Sequence, residues 1–133
     1  MSEKKKQIVI PPAGPKAAGP YSPAVTAGDW IYVAGQIPVD PASGQVVRGS
    51  IGEQTHRVLQ NLRLVLHAAG ADLGDVVKTT VYLRDLGDFA AMNAVYGEYF
   101  PADPPARTTI GVADLPLGVD VEIDAVAYRA ARS

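Results

Sequence analysis

Between Ser50 and Leu83 the hydrophobic period of the chain changes once, and that change limits the possible folds more than any other feature. Ile51, Thr55, Val58, Leu59, Leu62, Val65, Leu66 and Ala69 recur at three- and four-residue spacing, which gathers them on one face of an α-helix. Ser50 and Glu53 supply an S-x-x-E capping box at its start, and Gly70 stands where the chain must leave it. From Val76 the period is two: Val77, Thr79, Val81 and Leu83 alternate with Lys78, Thr80 and Tyr82, the pattern of a half-buried strand. A helix with one apolar face beside such a strand calls for a helical layer packed on a sheet.

The flanking segments extend this plan within one domain, residues 1–133. Met1 to Lys6 reads as a solvated tail, and Pro11 to Pro20 as a long loop of Pro and Gly, a length that is uncommon in small domains unless the loop has a task. Ala24–Ala27 and Trp30–Gly35 flank Gly28-Asp29, which suits a two-residue type II′ hairpin. A second helix is expected from Asp88 to Phe100, stopped by Pro101, followed by strands over Arg107–Val112 and Val119–Tyr128 that read as a hairpin. The order β-β-α-β-α-β-β predicts an α+β fold with both helices on one sheet face. The other face carries Trp30, Tyr32, Ala34, Val126 and Tyr128, too apolar for water, so a homo-oligomer is expected. The alternative is a monomer whose Pro-rich loop folds over that face.

Composition removes several chemistries. The chain has no Cys, hence no thiolate nucleophile, disulfide, Cys-ligated zinc or iron–sulfur cluster. Its net charge of −2, with no basic stripe beyond Lys4-Lys5-Lys6, disfavours nucleic acid. No apolar run has the length of a secretory h-region or a membrane span, so a cytoplasmic location is expected. His56 and His67 are eleven residues apart on one helix, about 16 Å along its axis, too far to share a metal. Glycine loops of the dinucleotide and P-loop types are absent, as is G-x-S-x-G. Nucleotide-phosphate binding therefore has no sequence support.

A hairpin of the last two strands, in the register that keeps apolar residues together, puts Arg107, Thr109 and Gly111 on the face of Asp124, Glu122 and Asp120. Arg107 and Glu122 are then expected on one face, within about 5–8 Å at Cβ. A guanidinium fork beside a proton-handling carboxyl suits a small 2-oxo, 2-imino or 2-enamino acid. The plain alternative is an ordinary salt bridge. Asn93 is a candidate polar group near such a site or a local backbone partner, and Tyr21 a cover for a pocket or an anchor for its loop.

Five blocks in order carry a family resemblance: Gly19-Pro20-Tyr21-Ser22-Pro23-Ala24, Val33-Ala34-Gly35-Gln36-Ile37-Pro38, Asp88-Phe89 with Asn93, Pro105-Ala106-Arg107-Thr108-Thr109, and Val121-Glu122-Ile123-Asp124-Ala125-Val126-Ala127. They resemble the RidA (YjgF) family of reactive-intermediate deaminases over nearly the whole chain after the tail. The resemblance implies a chorismate-mutase-like α+β fold and a homotrimer with clefts between subunits. It also implies cofactor-free hydrolysis of enamines and imines, such as 2-aminoacrylate and 2-iminopropionate, to 2-oxo acids and ammonia. Carried over by motif, Arg107 clamps the substrate carboxylate and Glu122 positions or activates water. The backbones of Gly35 and Thr109 contact substrate, Tyr21 caps the cleft and Asn93 supports it. Ala34 stands where many members carry Ser, and Thr109 where many carry Cys, departures that bear on substrate preference. Two other readings stand beside this one: a non-catalytic trimer holding a small carboxylate or a client protein, and another cofactor-free enzyme such as a chorismate mutase.

Overall fold

The computed structural model describes residues 5–130, through which a six-stranded sheet runs. In chain order the elements are β1 (Gln7–Val9), β2 (Ala24–Ala27), β3 (Trp30–Gln36), α1 (Ile51–Ala68), β4 (Val76–Leu83), α2 (Phe89–Tyr99), β5 (Ala106–Gly111) and β6 (Val121–Tyr128). The expected tail over residues 1–4 lies outside the described residues, and the short edge strand β1 follows it directly. β1 was not expected, because three residues with Ile8 exposed leave no readable period.

Local chemistry explains the elements that the sequence foretells. The α1 box is made: Ser50 Oγ accepts from the Glu53 amide at 3.2 Å, and Glu53 Oε1 accepts from the Ser50 amide at 3.1 Å. Its stripe of Val58, Leu59, Leu62, Val65 and Leu66 is fully buried against Ile31, Val81, Leu83, Val121 and Ile123 of the sheet. In the two-residue turn between β2 and β3, Gly28 has φ 60° and Asp29 does not enter the positive-φ region, as type II′ requires. Thr79 of β4 bonds Tyr96 of α2 through their hydroxyls at 2.7 Å, so α2 shares the sheet face of α1. One adjustment falls in β4, where a bulge between Val76 and Lys78 buries Val76 and turns Val77 outward.

The strand order is β1-β2-β3-β6-β4-β5, and it corrects the expected hairpin between β5 and β6. β5 pairs in parallel with β4 at the edge, while β6 lies between β3 and β4, antiparallel to both. The connecting chain straddles the end of β4: the Val112 amide donates to Leu83 O at 2.9 Å and the Arg84 amide to Asp120 O at 3.1 Å. The reason lies in side chains. β6 offers four inward apolar positions, Val121, Ile123, Ala125 and Ala127, all buried, and merits the doubly paired centre. β5 reads Ala-Arg-Thr-Thr-Ile-Gly, with one large apolar residue, and suits an edge.

The face opposite the helices is open. Trp30, Tyr32 and Tyr128 are 42%, 47% and 43% exposed, with Trp30 and Tyr128 in edge-to-face contact at 4.9 Å. The Pro-rich loop leaves them uncovered.

Gln54 of α1 fastens the incoming end of β6. Its buried side-chain amide donates to Asp120 Oδ2 at 2.8 Å and Gly49 O at 3.0 Å, and accepts from the Asp120 amide at 2.9 Å, all partly buried bonds. Gln54→Ala is expected to destabilise the fold by about 1–3 kcal/mol, since it removes three partly buried hydrogen bonds and a buried side chain. Denaturant titration checks this; a loss under about 0.5 kcal/mol contradicts the role.

Candidate active site

Arg107 pairs with Thr79 across the β4–β5 ladder, and paired residues share a face, so its side chain points to the helical layer. Its guanidinium carbon lies 4.7 Å from the ring centroid of Tyr96 and 5.4 Å from that of Phe89, a cation–π seat that fixes its aim. The Thr79 hydroxyl holds the Tyr96 ring in turn. Among the described residues no carboxylate forms an ion pair with Arg107. An open hollow of about 460 Å³ lies before it, lined by Asn93, Phe100, Pro104 and Pro105 among others. Asn93 Oδ1 is buried there without a hydrogen-bond partner. Thr109, two residues along β5 and paired with Val81, shares the Arg107 face.

Glu122 pairs with Tyr82 on the other side of β4 and shares the helix-free face with Tyr82, Asp124 and Lys78. The Tyr82 hydroxyl donates to Asp124 Oδ2 at 2.8 Å, and Lys78 Nζ donates to Thr108 Oγ1 at 3.0 Å. The Glu122 carboxylate lies over Gly35, where a Cβ would collide with Oε2; any side chain at Gly35 displaces it. Gly35 sits in the irregular stretch of β3 between Val33 and Gln36, which frees the backbone for that approach. Burial raises the Glu122 carboxyl above its ordinary range, and the neighbouring Asp124 charge raises it further. Hydrogen bonding to Asp124, followed by burial, likewise raises the Tyr82 phenol.

A cleft of about 430 Å³ opens beside Gly35, walled by Tyr21, Ile37, Pro41 and Leu117 and by the Pro-rich loop at Pro15 and Ala17. The Tyr21 hydroxyl accepts from the Ala18 amide at 3.2 Å, which folds the loop onto itself. Ala34 lines a shallower recess with Tyr21 and Tyr32 on the same sheet face.

The expected shared face of Arg107 and Glu122 is therefore corrected. With β4 inserted between β5 and β6, Arg107 takes the parity of buried Thr79 and Glu122 that of outward Tyr82, so they occupy opposite faces. They are also about 10 Å apart along the strands and about 10 Å across them. No salt bridge joins them within the chain. The expected residues form two groups, Arg107 with Asn93 and Thr109, and Glu122 with Gly35, Ala34 and Tyr21.

The aromatic seat was missed at the sequence level; Phe89 and Tyr96, seven residues apart on one helix stripe, were its signal. The histidines have structural partners: His56 Nδ1 lies 3.0 Å from the Tyr99 hydroxyl, and His67 Nε2 3.3 Å from Asp72. No helix among the described residues is long and apolar enough to cross a membrane.

The chain matches the family model described as endoribonuclease L-PSP over residues 12–129. A RutC family protein of Pyrococcus abyssi is 52% identical over 124 residues, 93% of this chain and 98% of that protein. The Homo sapiens protein named 2-iminobutanoate/2-iminopropanoate deaminase is 45% identical over 129 residues, 97% of this chain and 94% of that protein. Among solved structures, E. coli TdcF with bound serine aligns with a TM-score of 0.89 at 38% identity, covering 93% of this chain and 99% of that one.

The raised Glu122 carboxyl has a consequence for stability. The folded chain holds this proton more tightly than the unfolded chain, so the group favours folding below the ordinary carboxylate range. That contribution is lost as pH rises through its raised folded value. Glu122→Gln is expected to unfold at a higher temperature than the parent at pH 7, with the difference shrinking toward pH 4. Melting curves across this range check it; a variant less stable at pH 7 contradicts the desolvated-carboxylate account.

Proposed function

The chain belongs to the endoribonuclease L-PSP family, also called RidA or YjgF, and on that footing we propose that it hydrolyses reactive 2-enamino and 2-imino acids, such as 2-aminoacrylate and 2-iminopropionate, to 2-oxo acids and ammonia. The family includes proteins named as deaminases of this kind at about 45% identity. The observation that carries the reading is complementarity between two surfaces of one chain. Arg107 is an oriented cation with no ion-paired carboxylate among the described residues of its own protomer, and Glu122 is a carboxyl of raised proton affinity on an uncovered apolar face. Each group lacks what the other surface supplies.

Cyclic association satisfies both. In a homotrimer, the β5 and α2 flank of one copy meets the open face of the next, and three equal clefts result. In each cleft the Arg107 fork takes the substrate carboxylate, with Asn93 and the Thr109 backbone beside it. From the neighbouring copy come Glu122, the Gly35 backbone and the Tyr21 cap, with Ala34 in place of a hydroxyl at the substrate's flank. The substrate enters as the imine, or reaches it when the enamine gains a proton at its methylene carbon and gives one up from nitrogen. Water adds its oxygen to the imine carbon and passes a proton to Glu122. The same carboxyl delivers that proton to nitrogen, giving the carbinolamine; it then takes the carbinolamine hydroxyl proton and passes it to the amino nitrogen as the carbon–nitrogen bond breaks, so ammonia departs and the carbonyl of the 2-oxo acid forms. A carboxyl with a raised pKa suits this two-way transfer. An imine carbon is already electrophilic, so orientation, charge and proton handling suffice, with no metal or organic cofactor. Glu122 and Asp124 as like-charged neighbours on this face, with a net charge of −2, disfavour a nucleic acid as the ligand.

Coupling a serine/threonine dehydratase to this protein tests the reading. The protein is expected to speed the appearance of 2-oxo acid and ammonia, and Arg107→Ala to slow its turnover by about 10²–10³-fold while the trimer persists. Unaltered release with the parent protein defeats the deaminase reading and leaves a carboxylate-binding trimer. Sedimentation as a stable 14.0 kDa species defeats the shared clefts.

A further inference from the structure

The turn between β5 and β6 contains an arrangement that the proposed reaction does not use. Leu117 has φ 58° and Gly118 follows at φ 68°. For leucine that left-handed region is disfavoured by contact between Cβ and the backbone, whereas glycine enters it freely. Two arginines from distant parts of the chain hold the turn there. Arg48 Nη1 donates to the Leu117 carbonyl at 3.1 Å, and Arg84 Nη1 donates to the Gly118 carbonyl at 2.9 Å. Arg84 is steadied in turn by Asp120, 3.9 Å away. Held this way, the Leu117 side chain is 62% exposed to solvent and forms one wall of the cleft that contains Gly35 and Tyr21.

That cleft joins an acidic neighbour to apolar side chains. At Gly35 it adjoins the Glu122 carboxylate, and its lining includes the apolar side chains of Ile37, Val39, Pro41 and Leu117 alongside the polar Lys16 and Ser43. Its volume of about 430 Å³ falls among sites that enclose whole small molecules, so a three-carbon imino acid leaves part of it unfilled. We propose that Leu117 is a specificity-determining residue, setting which aliphatic side chain of a 2-imino acid the cleft accepts, with Arg48 and Arg84 as the positioning residues that keep it in place. This rests on the deaminase reading and adds to it a class of substrate, 2-imino acids with branched aliphatic side chains. A glycine would fit the turn without conformational cost, whereas the leucine adds apolar surface to the cleft wall.

The test compares the parent with Leu117→Gly, Leu117→Phe and the Arg48→Ala/Arg84→Ala pair. Imino acids are generated in situ from alanine and leucine by an L-amino acid oxidase, and the readout is the ratio of kcat/KM for the leucine-derived over the alanine-derived substrate. The parent is expected to favour the larger substrate. Leu117→Gly, which removes the contact, and Leu117→Phe, which fills the space, are each expected to lower that ratio about tenfold or more. The arginine pair is expected to lower it in the same direction. A purely structural role for the turn scales both rates together and leaves the ratio unmoved, and a ratio within about twofold of the parent in both Leu117 variants overturns the proposal. A parallel titration of pyruvate and 4-methyl-2-oxopentanoate reads the same discrimination as a ratio of Kd values. A parent inactive on both imines contradicts the deaminase reading, and the Kd ratio then decides the subsite by itself: lowered discrimination in the Leu117 variants supports it, and unchanged discrimination overturns it.

Discussion

The insertion of β6 between β3 and β4 governs the rest of the molecule. A strand has a side-chain period of two, so burying Val121, Ile123, Ala125 and Ala127 beneath the helices obliges Glu122, Asp124, Val126 and Tyr128 to face the other way. A slip of one residue would move the whole set, placing two carboxylates in the core. The position of Glu122 is thus a by-product of core packing. Gln54 secures the entry of the strand, and the irregularity in β3 lets the Glu122 carboxylate settle over Gly35. Burial at that location is also what raises its proton affinity, so one structural choice sets both the placement and the chemistry of the group.

β5 shows the opposite economy. It is an edge strand with little to bury, and its fixed feature is the aromatic seat that α2 provides for Arg107. That seat lies on the helical side of the sheet, away from Glu122. A chain with an oriented cation at one flank and a half-desolvated acid on an open aromatic face is complementary to itself head to tail, the relation that closes into rings. The uncovered Trp30, Tyr32 and Tyr128 supply the apolar area such a contact needs.

Much of this was legible in the sequence, for identifiable reasons. The α1 helix was readable because its stripe and capping box agree, and the β2–β3 turn because Gly28 before Asp29 selects one turn type. The open face was readable because Trp30, Tyr32 and Tyr128 alternate with core residues. The pairing of β5 and β6 was misread because Ile110 is the lone large apolar residue of β5, too little to say which face is which, and chain neighbours favour a hairpin. In the structure Ile110 points to the open side and Arg107 to the helices. Motif resemblance picked out Arg107 and Glu122, but which faces they occupy depends on strand order, a long-range property that local pattern does not encode. The bulge at Val77 and the seat made by Phe89 and Tyr96 were lost for the same reason.

The central claim is that one working cleft takes Arg107 from one copy and Glu122 from another. Co-refolding Arg107→Ala chains with Glu122→Gln chains, each inactive alone, tests it directly in the dehydratase-coupled assay. In a mixed ring every cleft that draws its arginine from one variant and its carboxylate from the other is intact. Random assortment then restores about a quarter of the parent activity per cleft. A mixture as inactive as either variant alone, in a sample shown to contain mixed trimers, contradicts the account.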